Sequence, residues 1–275
     1  MNSLSESESA RIAVFDSGVG GLTVVREIMK LLPGEGIIYL GDTARVPYGT
    51  KSKRTVTRFS SQALGFLLNL KVKLIVIACN TVSALSLKVL RAKCPLPIIG
   101  VLEPGARKGV QATRNKIIGV IGTEATIRSG AYPKIISSLD PKIKVFCKSC
   151  PLLVPLVEEG WFNHRITREV ISLYLKPLLR QEVDTLILGC THYPVLRETL
   201  QKVAGDKVAL IDSAQEVAGE VKKVLGEHKL QATNNWGYDF FVSDRPGKFI
   251  QLTRTFLARP IKNVHQINLD FPESI

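Results

Sequence analysis

The chain has 275 residues, of which 45% are hydrophobic, which is enough for one or two domains with large buried cores. It has no apolar run near the ~20 residues that a membrane helix needs, and residues 1–10 lack the basic start and apolar stretch of a secretory signal, so we expect a solvated tail there. Five cysteines in a chain this long exclude a disulfide framework and favour a reducing cytoplasm.

The net charge is +13, from 37 Lys and Arg against 24 Asp and Glu. A charge of this size is typical of nucleic-acid binding or of attraction to an anionic substrate, and it also occurs as a plain soluble basic surface. The basic residues are scattered, without a long basic run or an RNA-binding aromatic motif. We therefore favour the basic surface and expect no nucleic-acid or membrane partner, while a basic DNA-binding protein stays open as an alternative.

Short apolar strands alternate with helical patterns along the chain. Strands are predicted at residues 11–15, 37–40, 74–78, 97–101, 116–121, 144–147, 186–189, 208–211 and 238–242. Helices are predicted at residues 22–32, 53–70, 80–93, 126–138, 153–159, 167–182, 214–225 and 245–257, and one more follows Cys190. Residues 102–105 are interpreted as a turn that closes the strand before them. This alternation predicts parallel sheets with helices on both faces.

The two halves of this pattern resemble each other, because each contains a strand that ends in a small residue and a cysteine. We therefore expect two doubly wound α/β domains that face each other across a cleft. The first would comprise residues 11–105 and 212–275, since chain ends often lie near each other, and the second residues 106–211.

Cys79 and Cys190 are the cysteines that follow the two matching strands. Ligands bind at the carboxyl ends of strands in open α/β sheets, where free N–H groups and the helix dipole also favour a thiolate. A single cysteine at such a position could equally be a small buried hydrophobe. The matched pair favours a site made by both halves.

Two thiols on opposite sides of one bound carbon can invert a stereocentre without a metal or prosthetic group. The deprotonated thiol removes a proton, and the protonated thiol delivers another proton to the opposite face. Asp16 and His192 lie close to these cysteines in the predicted site and could take part in the proton relay. Asp16 could instead be a turn residue, and His192 a packing group.

Hydrogen-bond donors for a carboxylate are predicted at the strand ends and helix starts. They are Ser17, Asn80, Thr81, Thr123, Thr126 and Thr191, and the turn of Pro47, Tyr48 and Gly49 is predicted to shape one wall. Taken singly, Thr126 is more typical of a helix N-cap. The glycines at 18, 20 and 21 imitate a nucleotide-binding loop, but they lack its full spacing and a P-loop lysine.

The remaining three cysteines are more typical of structural residues than of catalytic or metal-binding ones. Cys147 and Cys150 form a lone CxxC, which has neither a second pair nor nearby histidines for zinc. A redox role would place the motif at a helix start after a strand. We interpret both thiols, and Cys94 before a proline, as structural, with a zinc or redox protein as a weaker alternative.

Several segments, taken together and in order, resemble the glutamate racemases, a cofactor-independent family that makes D-glutamate for bacterial cell walls. They are FDSGVGGLT at 15–23, YLGDTAR at 39–45, PYG at 47–49, ACNT at 78–81, IGTEAT at 121–126, PLVEEG at 155–160 and GCTH at 189–192. The resemblance extends from about residue 11 to the last predicted helix. It implies two flavodoxin-like domains, no cofactor, no metal site and a homodimer.

The same resemblance implies individual roles. Cys79 would take the proton from D-glutamate and Cys190 the proton from L-glutamate, assisted by Asp16 and His192. Acidic residues linked to the site would be Asp42 and Glu158, with Glu159 a weaker choice for the latter. The positions that would contact substrate are Ser17, Pro47, Tyr48, Gly49, Asn80, Thr81, Thr123, Thr126 and Thr191. Racemisation of aspartate or a related amino acid by the same mechanism stays open.

Overall fold

The computed structural model describes residues 10–232, 237–261 and 264–269. The predicted tail at 1–10 therefore lies outside the described residues except for residue 10, and so do residues 233–236, 262–263 and 270–275 of the first domain's second segment. No helix in the described ranges combines the length and apolar character that crossing a membrane requires.

The strands form a six-stranded sheet and a four-stranded sheet, and every pairing in both is parallel. They are β1 (Arg11–Asp16), β2 (Ile37–Gly41), β3 (Val72–Ile77), β4 (Ile98–Gly100), β5 (Ile117–Gly122), β6 (Lys144–Ser149), β7 (Thr185–Gly189), β8 (Ala209–Ile211), β9 (Tyr238–Val242) and β10 (Val264–Gln266). The six-stranded sheet has the order β10-β9-β2-β1-β3-β4, and the four-stranded sheet the order β6-β5-β7-β8. The predicted fold class is confirmed.

The helices connect the strands and cover the sheets. They are α1 (Leu22–Leu31), α2 (Lys53–Leu68), α3 (Asn80–Leu85), α4 (Leu87–Lys93), α5 (Leu102–Ala112), α6 (Glu124–Arg128), α7 (Ala131–Leu139), α8 (Leu153–Glu158), α9 (Arg165–Leu179), α10 (Arg197–Ala204), α11 (Ser213–Glu227) and α12 (Pro246–Leu257). Every residue of β3 and β7 is buried, which is why their Val, Ile and Leu runs lack the alternation of a half-exposed strand.

The order of the strands explains where a site can form. In the first sheet β1 lies between β2 and β3, and in the second β5 lies between β6 and β7, so the chain reverses its direction of winding beside β1 and β5. Crevices open at such reversals, outside the carboxyl ends of the strands. Asp16 ends β1, and Cys79 and Cys190 follow β3 and β7.

Four of the predicted elements were wrong. The helix predicted at 80–93 is two helices, α3 and α4, which are separated by Ser86 at φ −127° and ψ −13°. Residues 102–105 form the first turn of α5 rather than a closing turn, because a proline is tolerated in the first turn of a helix. The helix predicted after Cys190 begins only at Arg197, after a 3-10 turn at Tyr193–Leu196. The helix predicted at 126–138 is two helices, α6 and α7, separated by Gly130 at φ 66°.

The boundary between the two predicted domains is crossed by packed helices. Arg107 and Lys108 of α5 form ion pairs with Glu220 and Glu216 of α11, at 2.8 and 3.1 Å. The first sheet takes its strands from residues 11–100 and 238–266, and the second from residues 117–211. In the chain, α5 comes just before the strands of the second sheet and α11 just after them, and the two helices pack together. The domain bounds at 105/106 and 211/212 therefore stay a prediction.

Candidate active site

Cys79 and Cys190 line one cavity of about 380 Å³, which opens where the carboxyl ends of the two sheets face each other. Both thiols are largely buried, with 5% and 6% of their surface exposed. Other predicted site residues line the same cavity, namely Ser17, Pro47, Tyr48, Gly49, Asn80, Thr81, Thr123, Glu158, Thr191 and His192. The cavity therefore takes its walls from both sheets.

Three predicted residues lie one layer behind the cavity wall. Asp16 and Asp42 are fully buried, and Thr126 is 1% exposed. Thr126 is not the cap of α6, because Thr123 accepts the hydrogen bond from the Thr126 N–H. These positions can support the lining residues, and a direct contact between Thr126 and a ligand stays a prediction.

Cys79 is surrounded by groups that favour its protonated form. Its thiol donates to the hydroxyl of Ser17 at 3.5 Å. Burial, followed by the negative charge of Asp16, raises the pKa of the Cys79 thiol to about 12, although hydrogen bonding with Ser17 and with the Val82 backbone acts in the opposite direction. The prediction that the strand-end position favours a thiolate is therefore wrong for Cys79. The helix that follows has only six residues, and its dipole is too small to offset the burial.

Cys190 lies beside a histidine that is held in place on two sides. Nε2 of His192 is 3.1 Å from Oε1 of Glu158, and the ring of Phe256 packs edge-on against the imidazole at 5.2 Å between centroids. Burial lowers the pKa of His192, but hydrogen bonds to Cys190 and Glu158 outweigh it and raise this pKa to about 10. The imidazole therefore keeps its positive charge beside the sulfur of Cys190 at neutral pH. The hydrogen bond to His192 in turn lowers the pKa of Glu158.

Asp16 connects the two sides of the site. One carboxylate oxygen accepts the Gly18 N–H at 2.9 Å, and the other accepts the hydroxyl of Thr191 at 3.3 Å. Burial raises the pKa of Asp16 in spite of the opposing charge of His192 and these hydrogen bonds. Asp16 therefore acts on the cavity through Thr191 and through its charge near Cys79.

The loop with three glycines lies directly against residues of the second half. A Cβ atom on Gly20 would lie 2.2 Å from Oγ1 of Thr191 and 2.6 Å from Nδ1 of His192. A Cβ atom on Gly49 would lie 2.5 Å from Cβ of Thr123. At both positions the missing side chain lets the second sheet's site residues approach the first.

Hydroxyl groups from both halves meet at one end of the cavity. Oγ1 of Thr81 lies 2.9 Å from Oγ1 of Thr123 and 3.2 Å from Oγ1 of Thr126, and the last two are 2.9 Å apart. Such a cluster, together with Asn80, is a set of donors that suits a carboxylate.

Tyr48 is held by a polar network that the sequence did not reveal in full. Its hydroxyl donates to Asp42, which also accepts from Nε of Arg45 at 2.7 Å and from the hydroxyl of Ser243 at 2.8 Å. Ser243 follows β9, about 200 residues along the chain from Asp42. Arg45 belongs to the motif at 39–45, whereas Ser243 carried no signal beyond its position after a strand.

The sequence also missed an apolar wall. Val46, Pro151, Val154 and Pro155 line the cavity together with Glu124 and Thr50. Apolar residues near a strand end or a helix give no chemical signal, so only their neighbour Glu158 was singled out.

The other cysteines lie away from this cavity. Cys147 is inside β6 and Cys150 follows the end of that strand, where its thiol donates to the Lys148 carbonyl at 3.6 Å. The motif is thus not at a helix start, as a redox role would require. Within the ranges that the structure describes, no three His, Cys, Asp or Glu side chains are grouped as a metal site would need.

Residues 13–221 match the model of a protein family described as Asp/Glu/Hydantoin racemase. A glutamate racemase of Geobacter metallireducens is 48% identical over 261 residues, which cover 94% of this chain and 97% of that protein. A glutamate racemase of Neisseria meningitidis serogroup A is also 48% identical, covering 94% of this chain and 96% of the relative.

Solved structures give the same result. Glutamate racemase isoform RacE1 from Bacillus anthracis superposes with a TM-score of 0.91 at 39% identity, covering 94% of this chain and 98% of that one. Glutamate racemase from Francisella tularensis, solved in complex with D-glutamate, gives 0.90 at 38% identity, covering 96% and 99%. The chain therefore belongs to the glutamate racemase family, within the wider Asp/Glu/Hydantoin racemases, and is an isomerase.

Proposed function

We propose that this protein interconverts L-glutamate and D-glutamate, with Cys79 and Cys190 as the two groups that exchange protons with Cα. The observation that carries the proposal is that both thiols line a single cavity together with donors from both sheets. The family membership supports the substrate, since the Francisella relative was solved in complex with D-glutamate.

The reaction needs one thiolate and one thiol at a time. The thiolate removes the Cα proton, the electron pair left on carbon is shared with the adjacent carboxylate, and the opposite thiol protonates the other face. Cys190 takes the proton when L-glutamate is the substrate and Cys79 when it is D-glutamate. After each turnover the two sulfurs have exchanged protonation states, so the product enantiomer is the substrate of the reverse reaction.

The residues around the two thiols supply charge to the site and keep its side chains in position. Asp16 and His192 assist Cys79 and Cys190 respectively, and Glu158 holds the imidazole of His192. Asp42 holds Tyr48, and the lining hydroxyl and amide groups bind the two substrate carboxylates. Each of these roles is part of the proposal.

The test uses L-glutamate in D₂O with the full-length protein. We expect optical rotation to fall to zero while deuterium enters Cα. Aspartate, compared at the same enzyme concentration, is expected to react much more slowly. Folded protein that neither changes the rotation nor exchanges Cα hydrogen would overturn the proposal, and a faster reaction with aspartate would reassign the substrate.

We also propose that the D-glutamate formed supplies peptidoglycan, and that the protein acts as a homodimer in a reducing cytoplasm. The family supports the first two statements, and five free cysteines support the third. Growth of a D-glutamate auxotroph should be restored by this chain and not by its Cys79→Ser variant. Sedimentation at micromolar concentration should give twice the chain mass, and a monomer there would refute the dimer.

A further inference from the structure

Tyr132 is a buried side chain of the second half that contacts a site residue of the first half. It lies on α7 with 1% of its surface exposed, and its hydroxyl donates to Oδ1 of Asn80 at 2.8 Å. Asn80 begins α3 directly after Cys79 and lines the cavity. Tyr132 itself belongs to the layer behind the wall, within the main hydrophobic core.

The hydrogen bond determines which end of the Asn80 amide faces the cavity. An asparagine amide has an acceptor, Oδ1, and a donor, Nδ2, and the two can exchange places by a rotation of the side chain. With Oδ1 held from behind by Tyr132, Nδ2 is the end left for the cavity. A carboxylate can accept from Nδ2, whereas an exposed Oδ1 would repel it.

In the contact that the structure shows, Tyr132 is the donor and Oδ1 of Asn80 the acceptor. Burial, with a further effect of negative charge at Cys190 and Asp212, raises the pKa of its phenol above the usual value. The hydroxyl therefore keeps its proton at a pH where an exposed tyrosine would begin to lose it. Because Tyr132 and Asn80 come from different halves, the hydrogen bond forms only when the two halves are packed together as in this structure.

We propose that Tyr132 is a positioning residue, which orients the Asn80 amide so that its N–H groups bind a carboxylate of the substrate. This inference rests on the proposed function for the identity of that carboxylate ligand. It assigns Tyr132 no proton transfer, and it predicts an effect on substrate binding rather than on the chemical step.

The test begins with Tyr132→Phe, which removes the hydroxyl and keeps the ring. We expect KM to rise about ten-fold, because a hydrogen bond to a charged group contributes roughly that factor, with kcat changed less than about two-fold. The equilibrium constant of racemisation is one, so kcat/KM for both enantiomers must fall by the same factor.

Tyr193→Phe is the matched control. Tyr193 is equally buried in the same half, but its hydroxyl donates to the backbone carbonyl of Cys150 at 2.9 Å instead of to a lining side chain. It loses one buried hydrogen bond of the same kind, so a general loss of stability should appear in both variants. We expect no rise in KM in Tyr193→Phe.

A double-mutant cycle separates orientation of Asn80 from other effects of the tyrosine. In an Asn80→Ala background there is no amide to orient, so adding Tyr132→Phe should leave KM unchanged. An equal rise in KM in both backgrounds would show that Tyr132 acts independently of Asn80 and would overturn the inference.

The orientation can also be measured without turnover. In ¹⁵N spectra, the side-chain amide signals of Asn80 should shift or broaden in Tyr132→Phe and stay in place in Tyr193→Phe. Unchanged Asn80 signals in Tyr132→Phe would refute the orienting role. If the unmodified protein fails to racemise glutamate while these signals respond as expected, the proposed function fails and the orienting role of Tyr132 survives.

Discussion

The surroundings of the two thiols differ more than their positions in the fold. Cys79 and Cys190 both follow a buried parallel strand and are almost equally buried. Around Cys79, burial and the carboxylate of Asp16 raise the thiol pKa to about 12. Beside Cys190, hydrogen bonds to Cys190 and Glu158 raise the pKa of His192 to about 10, and the Glu158 carboxylate holds the imidazole.

This difference suits a reaction that needs one protonated and one deprotonated thiol at the same moment. Matching strands bring the sulfurs to the same cavity, while the residues behind them give the two sulfurs different charged neighbours. A repeated strand-and-cysteine pattern therefore predicts the location of the site better than it predicts the chemical state of each group.

The largest expected effect is the loss of either thiol. Cys79→Ser and Cys190→Ser should each lower kcat/KM by about 10³-fold or more, because a serine hydroxyl is a far weaker acid than a thiol and is almost never ionised to act as the base. Polarimetry would measure the activity of each variant, and far-UV circular dichroism would show whether it is folded.

Cys94→Ser is the control for this change, since Cys94 is a half-buried cysteine outside the cavity lining. It should keep full activity. Full activity in Cys79→Ser or Cys190→Ser would contradict the proposal that both thiols exchange protons with the substrate.

The second effect concerns the contact between the halves. In Gly20→Ala the new methyl would lie 2.2 Å from Thr191 Oγ1 and 2.6 Å from His192 Nδ1, so the Cys190 side must shift. A displacement of about 1 Å in a catalytic group can cost about 100-fold in rate, and we expect kcat/KM to fall by that order.

Gly65→Ala provides the comparison for this variant. Gly65 lies within α2, and a Cβ atom there meets nothing within 4 Å. It should retain activity and unfold at a higher denaturant concentration, because alanine stabilises a helix by up to about 1 kcal/mol relative to glycine. Equal activity in both variants would contradict the close approach at Gly20.

A smaller effect is expected from the histidine's partner. Glu158→Gln weakens the hydrogen bond that helps to raise the pKa of His192 to about 10, so this pKa should fall. The alkaline limb of the kcat/KM profile should then move to lower pH, with about a ten-fold loss of activity. Glu159→Gln should not change the pH at which the alkaline limb falls. The Glu159 carboxylate lies 3.8 Å from Nζ of Lys248, whereas it is Glu158 that contacts His192.

The last expected effect is on stability rather than on activity. The pKa of His192 is raised from 6.5 to about 10 on folding, so the folded state binds the proton more tightly than the unfolded chain. Its contribution is fully present below pH 6.5 and is lost as pH rises through about 10.

Urea unfolding of the natural chain and of His192→Asn would measure this contribution. The difference in unfolding free energy should shrink between pH 6.5 and 10 by more than the roughly 1.4 kcal/mol of a single pKa unit. A difference that is constant or grows over that range would show that His192 is not charged in the folded protein.

The fold class and the polar part of the cavity wall could be predicted from the sequence, because both depend on local patterns. Buried Val and Ile runs specify β3 and β7, and residues placed directly after them must meet at the carboxyl edge of a sheet. This argument placed Asn80 and Thr191 at the cavity without knowledge of any distance.

What could not be predicted depends on tertiary contacts. The helix α5 escaped detection because Pro104 and two glycines are typical of a turn, and β10 because its three residues, Val-His-Gln, show no apolar pattern. Two residues that support the cavity wall are distant in sequence from the residues they contact. Ser243 contacts Asp42, and Tyr132 contacts Asn80.

The most direct test of two thiols acting on opposite faces is the isotope in the first product. In D₂O, L-glutamate should give D-glutamate that carries deuterium at Cα from the earliest time points, while the remaining L-glutamate stays largely protiated. The proton removed by one sulfur is then never the one delivered by the other. Early D-glutamate that retains the protium of its substrate would show that a single group removes and returns the proton, and would contradict the account.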